Sequence, residues 1–294
     1  MIASSSTFRV NAVIFIESLR DSDAKTGRWV EEDLAAEFDA MRLLHEYHPV
    51  TSKAEFMALL ENIRARATMG LRPILQFDTH GHDDCTGMLI APTGELVTWH
   101  ELASALREIN RATANHLNVV LACCYGFHGI SAVSLGDVTP FLHLVGPEDV
   151  EAAGTFRDRL PHFYRALFGS GTIESALAQL PSKFRMYYAE KLLTISFIKY
   201  LIVGTRGDGR AARIERLLSE LTARHPHVDV NAARKKLREL VKPENADFDS
   251  FKRRFLLAEH PDNAGRFGIT LDDCLSELDQ LSPETISAIR ANAR

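Results

Sequence analysis

The fold of this chain is decided by the stretch Ile74-Leu-Gln-Phe-Asp-Thr-His-Gly81 and by a second one, Asn118-Val-Val-Leu-Ala-Cys-Cys-Tyr-Gly126. Each is a short apolar run that stops at a reactive side chain close to a glycine. Such runs are typical of strands buried on both faces of a parallel sheet. In these sheets ligands bind at the carboxyl ends of the strands. His80 and a cysteine on neighbouring strand ends therefore form a candidate nucleophile–base pair.

Strands and helices alternate on both sides of these two stretches. Apolar runs at residues 11–16 and 141–145 predict further strands, and residues 88–90 and 95–97 flank a Pro-Thr-Gly turn that predicts a hairpin. Helices are expected between the strands, two of them opened by capping boxes at Ser52 and Thr98. This alternation implies an α/β fold with a parallel sheet and helices on both faces. Residues 181–294 are predicted to be almost wholly helical, so we expect a sheet domain at 1–180 and a helical region at 181–294.

The composition limits the class of protein, the kinds of partner and the cellular location that we expect. Hydrophobic residues make up 46% and charged residues 25% of the 294 positions, which is ordinary for a globular domain. The net charge of −5 argues against nucleic acid as a direct partner. The first residues lack the pattern of a signal peptide, and the longest nearly apolar run, 192–203, is too short to span a bilayer. We therefore expect a cytoplasmic protein without a membrane partner.

A polar cluster, His82-Asp-Asp-Cys85, follows the histidine strand and raises the question of a metal. No second group of ligands with metal spacing lies near it in the sequence. We expect a solvated loop at the rim of the site, and neither a metal nor a cofactor.

The two deciding stretches resemble those of the caspase-like (clan CD) cysteine peptidases, and more closely those of their bacterial branch, called CHAT. The interval from His80 to Cys124 is close to the roughly 50 residues that separate the caspase pair. Residues 87–103 resemble the CHAT hairpin and the helix after it. Phe163-Tyr-Arg-Ala-Leu-Phe-Gly169 and Thr172-Ile-Glu-Ser-Ala-Leu177 resemble a later helical pattern of that family. The resemblance covers residues 1–180.

This resemblance implies a caspase-like fold and a cysteine endopeptidase with a His–Cys dyad. His80 would take the thiol proton, and the backbone N–H of Gly81 would form an oxyanion hole with that of the nucleophile. The family also implies a regulated protease of a bacterial stress or phage-defence system that cuts a protein substrate. CHAT domains often accompany helical repeats, but no internal repeat is visible here. We therefore expect a sensor or effector protein from the same operon as a partner.

Two adjacent cysteines compete for the role of nucleophile. Neighbouring side chains of a strand point to opposite faces, so only one of them can meet His80. Caspase-like families place a small buried residue before the nucleophile and often a glycine two positions after it, which favours Cys124. Cys123 is the second choice, because Cys123-Cys-Tyr-Gly126 has the Cys-x-x-Gly spacing common in CHAT and legumain-like enzymes.

Asp78 and Ala122 are candidates for supporting roles. Asp78 precedes His80 by two positions, so it is expected either to orient the imidazole or to be a strand-end carboxylate without a role. Ala122 stands two positions before Cys124, where basic-specific metacaspases have a pocket aspartate. With alanine there, a cationic substrate side chain finds no buried partner. The expected preference is for an apolar or small residue.

Two other classes of function stay open. A caspase-like scaffold would keep the fold with a vestigial dyad and act by binding. A hydrolase or acyltransferase on a different α/β fold is the third class, although no Gly-x-Ser-x-Gly elbow supports it. Labelling of the thiol by a peptide-based electrophile, lost when His80 is changed, would separate the peptidase from both.

Overall fold

The computed structural model describes residues 7–205, 207–242 and 244–291, which divide into two compact units. The first unit comprises residues 7–189 together with 255–264 and contains the sheet. The second comprises residues 190–254 and 265–291 and, in its described part, is built from helices. The candidate site residues His80 and Cys124 both belong to the first unit.

A mixed sheet forms the centre of the first unit. The strands found in the described residues are β1 (Ala12–Ser18), β2 (Leu44–Pro49), β3 (Pro73–Gly81), β4 (Gly87–Ile90), β5 (Glu95–Thr98), β6 (Asn118–Ala122), β7 (His143–Pro147) and β8 (Phe184–Tyr188). The main row has the order β2-β1-β3-β6-β7-β8, and β4 and β5 form a hairpin that pairs with the end of β3. Pairs along this row are parallel from β2 to β7, and β8 is antiparallel to β7.

Helices cover both faces of this sheet. In the first unit they are α1 (Thr26–Ala40), α2 (Lys53–Thr68), α3 (Trp99–Ala112), α4 (Ala153–Ser170) and α5 (Ile173–Leu177). On one face, Phe15 of β1 packs against Tyr164 of α4 and Phe38 of α1. On the other, Phe77 of β3 packs against Phe56 of α2. Strands buried on both faces are what the unbroken apolar runs predict.

The helix starts follow the predicted caps. The Thr98 hydroxyl accepts the N–H of Glu101 while the Glu101 carboxylate accepts the N–H of Thr98, which completes a capping box. The Ser52 hydroxyl accepts the N–H of Glu55, but the Glu55 carboxylate bonds to Thr51, one residue earlier than a capping box requires. Both helices therefore begin where the sequence predicts.

The α/β fold class is confirmed: a mostly parallel sheet is flanked by helices and followed by a helical region, consistent with a caspase-like fold. The cysteine strand β6 and the hairpin lie at their predicted positions. The expectation that no strand follows residue 180 is wrong, because β8 lies at Phe184–Tyr188. Its aromatic residues favour a strand, and Phe184, Tyr187 and Tyr188 are buried.

Two segments beyond residue 180 belong to the first unit, namely 181–189 and 255–264. The later segment is joined to that unit by backbone carbonyls. The N–H of Thr139 donates to Phe255, and the side-chain amide of Asn115 donates to Leu256, at 3.0 Å each. The first unit is thus formed by two separate segments of the chain, residues 7–189 and 255–264.

The second unit contains a series of helices. The helices that lie wholly or mostly in its described residues are α6 (Ala189–Gly204), α7 (Gly207–Arg224), α8 (Val230–Leu240), α9 (Asn245–Leu256), α10 (Leu271–Gln280) and α11 (Pro283–Ala291). Across residues 7–205, 207–242 and 244–291, no helix combines the length and the hydropathy that crossing a membrane requires.

Candidate active site

His80 and Cys124 lie at neighbouring strand ends. The pairing of β3 with β6 ends at Asp78 opposite Ala122, so His80 and Cys124 each stand two positions beyond the last pair. Gly81 shows how closely the two chains approach: a Cβ atom on it would lie 1.8 Å from the carbonyl oxygen of Cys124. Only glycine allows such an approach of two backbones. The predicted histidine and cysteine are thus brought together at one edge of the sheet.

The two adjacent cysteines differ in their environments. Cys123 is 1% exposed, and burial raises the pKa of its thiol far above the ordinary value. Cys124 is half-buried, and its Sγ lies 3.5 Å from the N–H of Glu151 and 3.6 Å from the carbonyl oxygen of that residue. All four cysteines of the chain are free thiols. Because a nucleophile must reach its substrate as a thiolate, access favours Cys124 over Cys123.

The imidazole of His80 has a carboxylate partner that the sequence analysis did not identify. Its Nε2 lies 2.9 Å from Oδ2 of Asp23, which belongs to the loop between β1 and α1. The hydrogen bond from His80 lowers the pKa of Asp23, so this carboxylate is anionic at neutral pH. Within the described part of the chain, the His80 ring makes no hydrogen bond to the Cys124 thiol.

Asp78 is not the carboxylate that bonds to the His80 ring, because that partner is Asp23 and the oxygens of Asp78 accept hydrogen bonds from other side chains. Thr26 Oγ1 donates to Oδ1 at 3.0 Å, and Gln76 Nε2 donates to Oδ2 at 2.9 Å. The hydroxyl of Tyr164 donates in turn to Gln76. Asp78 is fully buried, and burial raises its pKa to about 7, with a further contribution from the charge of Glu17. The carboxyl group therefore belongs to a buried polar network beneath the site.

Glu17 is the second carboxylate of this network and lies beside Asp78 in the register of β1 and β3. It is 2% exposed and accepts hydrogen bonds from the hydroxyl of Tyr47 at 2.6 Å and from the N–H groups of Gly27 and Arg28. Those N–H groups belong to the first turn of α1, where a helix favours a negative charge. Glu17 and Asp78 together fix the start of α1 directly after the loop that carries Asp23.

Ala122 lies beside this network and is also enclosed. It is 3% exposed, stands opposite Asp78 in the sheet and belongs to the apolar core between the sheet and helices α1 and α4. The side chain at this position offers a methyl group and no charge.

The loop after β7, residues 148–151, closes the side of the site next to the cysteine. Besides the contact of Glu151 with the thiol, the carbonyl of Asp149 accepts the N–H of Tyr125, and the carbonyl of Glu148 lies 3.2 Å from Nε2 of His128. Tyr125 has a φ of 60°, so the chain turns sharply directly after Cys124. The thiol of Cys124 stays partly exposed at this turn, and a short 3-10 helix, Gly126–Ala132, follows it.

Three residues of the site escaped the sequence analysis. Asp23 follows the first strand by a few residues, and the rule that chemistry lies at the carboxyl ends of parallel strands could have drawn attention to its loop. Glu17 is a charged residue at the end of an apolar strand, which is also a usable signal. Glu151 contributes only its backbone N–H and carbonyl to the site, and the residue type does not predict such contacts.

A scan of the sequence against protein-family models finds no match, and a search of curated proteins finds none either. In the residues that the structure describes, no three or more His, Cys, Asp or Glu side chains are grouped so as to hold a metal ion.

Proposed function

We propose that this protein is a cysteine endopeptidase in which Cys124 is the nucleophile and His80 is the general base. The single observation that supports this most is the approach of the two strand ends, where a Cβ on Gly81 would collide with the Cys124 backbone. The partial exposure of Cys124 beside the buried Cys123 adds to it. The resemblance to caspase-like and CHAT peptidases supports the reaction class.

The proposed reaction begins with transfer of the Cys124 proton to the imidazole of His80. The thiolate attacks the carbonyl carbon of a peptide bond, and the backbone N–H groups of Gly81 and Cys124 stabilise the oxygen anion that forms. The imidazolium of His80 then gives its proton to the leaving amine. Water hydrolyses the resulting thioester, again with His80 as base, and restores the free thiol.

The substrate and the partners are part of the same proposal and are supported by the resemblance alone. The enzyme cuts a protein substrate as a regulated protease of a bacterial stress or phage-defence system. A sensor or effector protein from the same operon controls it. The protein acts in the cytoplasm, without a cofactor and without direct contact with nucleic acid or membrane.

A non-catalytic scaffold is the second candidate, and one feature of the site favours it. The Cys124 thiol contacts the backbone of Glu151 and the His80 ring contacts Asp23, so the two groups of the dyad are each engaged elsewhere. A resting enzyme has the same arrangement if substrate binding draws the thiol and imidazole together, because catalytic hydrogen bonds are often long or absent before substrate binds.

Labelling with a mixture of peptide acyloxymethyl ketones, followed by mass spectrometry to locate the adduct, separates the two candidates. The peptidase requires an adduct on Cys124 that is lost in His80→Ala. His82→Ala is the matched control, because His82 is a partly exposed histidine on the loop after β3, bonded to Asp84, and its loss should leave labelling intact. A folded wild-type protein that gives no adduct on Cys124 would favour the scaffold.

A further inference from the structure

Asp23 makes a close contact with the proposed catalytic base. Its Oδ2 lies 2.9 Å from Nε2 of His80, and the Asp23 side chain is 22% exposed while that of His80 is 45% exposed. The pKa of Asp23 is lowered chiefly by this hydrogen bond, so the pair consists of an anionic carboxylate and a ring nitrogen that carries a proton. Such a bond fixes both the tautomer and the orientation of an imidazole.

The loop that carries Asp23 is itself held in place. The N–H of Arg20 donates to Oδ2 of Asp23 at 2.9 Å, and the N–H of Asp23 donates to the carbonyl of Arg20 at 3.0 Å. The ammonium group of Lys25 bonds to the carbonyls of Leu19 and Arg20. Arg20 Nε reaches the carbonyl of Ala91 on the hairpin side of the site. The carboxylate is thus oriented before any substrate arrives.

We infer that Asp23 is a positioning residue that completes a Cys124–His80–Asp23 triad. This inference rests on the proposed peptidase function. With its Nε2–H donated to Asp23, the neutral ring of His80 keeps the lone pair on Nδ1, which is then the atom that takes the proton from the Cys124 thiol. The negative charge of Asp23 stabilises the imidazolium formed in that step, and Asp23 itself keeps no proton.

Other carboxylates near the site do not fit this role. Asp78 has the right spacing from His80 along β3, but it is fully buried and its hydrogen bonds run to Thr26 and Gln76, whereas the His80 ring bonds to Asp23. Asp21 lies on the same loop as Asp23 and is exposed to solvent. The geometry thus selects Asp23 among its neighbours, and Asp21 supplies a matched control.

Alkylation of Cys124 by peptide acyloxymethyl ketones, which occupy the substrate site as they react, tests this inference when it is followed as a function of pH and located by mass spectrometry. We expect the Asp23→Asn protein to be alkylated about 10- to 100-fold more slowly near pH 6, by analogy with the loss of a carboxylate that orients a metal-ligating histidine. In this variant the midpoint of the alkylation profile should move to higher pH, because the negative charge of Asp23 no longer stabilises the thiolate–imidazolium pair. Asp23→Glu should recover part of the rate, and Asp21→Asn should match the wild type.

The outcomes separate this inference from the proposed function. A lowered rate in His80→Ala together with an unchanged profile in folded Asp23→Asn would overturn the triad and leave the dyad standing. Faster alkylation in Asp23→Asn would also overturn it, because Asp23 would then hold His80 away from the thiol. Unchanged alkylation in His80→Ala would overturn both the triad and the peptidase. Tryptophan fluorescence establishes that each variant is folded.

Discussion

Asp78→Asn should remove a pH dependence from the folding of the first unit. Asp78 is fully buried, and its pKa is raised by burial from the ordinary 3.8 to about 7. The folded state therefore binds a proton that the unfolded chain has already lost between these two pKa values. Stability falls with rising pH wherever the folded state binds more protons. The wild-type unfolding free energy should thus decrease from pH 4 to pH 7, and this contribution is absent from the variant.

The size of the effect follows from the two pKa values. At about 1.36 kcal/mol per pKa unit, the raised pKa of Asp78 lowers the unfolding free energy by an amount that grows by roughly 3 kcal/mol between pH 5 and pH 8. The substitution also lowers the unfolding free energy by an amount that does not change with pH. An asparagine places an amide next to Gln76 Nε2, which in the wild type donates a hydrogen bond to the carboxylate. Comparing two pH values cancels this constant. The unfolding free energy of the variant, measured relative to that of the wild type, should therefore be about 3 kcal/mol higher at pH 8 than at pH 5.

Urea unfolding followed by tryptophan fluorescence provides the assay. The two tryptophans of the chain, Trp29 in α1 and Trp99 in α3, both lie in the first unit, so the signal reports that unit. Asp21→Asn is the control, since an exposed aspartate should give the same difference from wild type at both pH values. If the difference in unfolding free energy between Asp78→Asn and wild type does not change with pH, burial does not raise the pKa of this carboxyl group.

Further substitutions probe the approach of the strands and the enclosed alanine. Gly81→Ala should lower electrophile labelling of Cys124 at least about tenfold and destabilise the first unit by about 1–3 kcal/mol, because its Cβ would lie 1.8 Å from a backbone oxygen. Gly154→Ala, whose Cβ meets nothing within 4 Å, should change neither quantity, and equal effects in both variants would contradict the argument. Ala122→Asp should destabilise the first unit by about 3 kcal/mol or more in urea unfolding at pH 8, because it adds a third buried carboxylate next to Asp78 and Glu17. A stable variant would show that the position is not enclosed. With alanine there, a peptide-library cleavage profile should not be dominated by arginine or lysine, and such dominance would contradict the specificity prediction.

Local patterns were sufficient to predict most of the first unit. The cysteine strand Asn118–Ala122 was placed correctly because its apolar run is bounded by polar residues and a turn. The hairpin was predicted because a Pro-Thr-Gly turn separates two short apolar runs. Strand β8 was missed because it is short, follows Pro181 and carries an exposed Arg185 between buried aromatics. Its pairing with the edge of β7, a long-range contact, stabilises it as a strand.

The site could be predicted only where a reactive residue type stands at a position that the sequence pattern identifies. His80 and Cys124 stand at the ends of recognisable strands, so their proximity follows from the topology. From the sequence, Asp78 on the same strand is either a partner of His80 or a strand-end carboxylate without a role, and in the structure the start of α1 binds that carboxyl through Thr26. Asp23 comes instead from a loop whose path depends on long-range bonds such as that of Arg20 to Ala91. Such bonds leave no local pattern in the sequence.

Comparing Cys123→Ala with Cys124→Ala in one peptide-library cleavage assay shows whether Cys124 is the nucleophile. We expect no cleavage by Cys124→Ala. We expect nearly full activity for Cys123→Ala, with a loss of unfolding free energy of about 1 kcal/mol from the vacated volume. Full activity in Cys124→Ala with none in Cys123→Ala would transfer the role to Cys123, and activity in both variants would show that neither cysteine is the nucleophile.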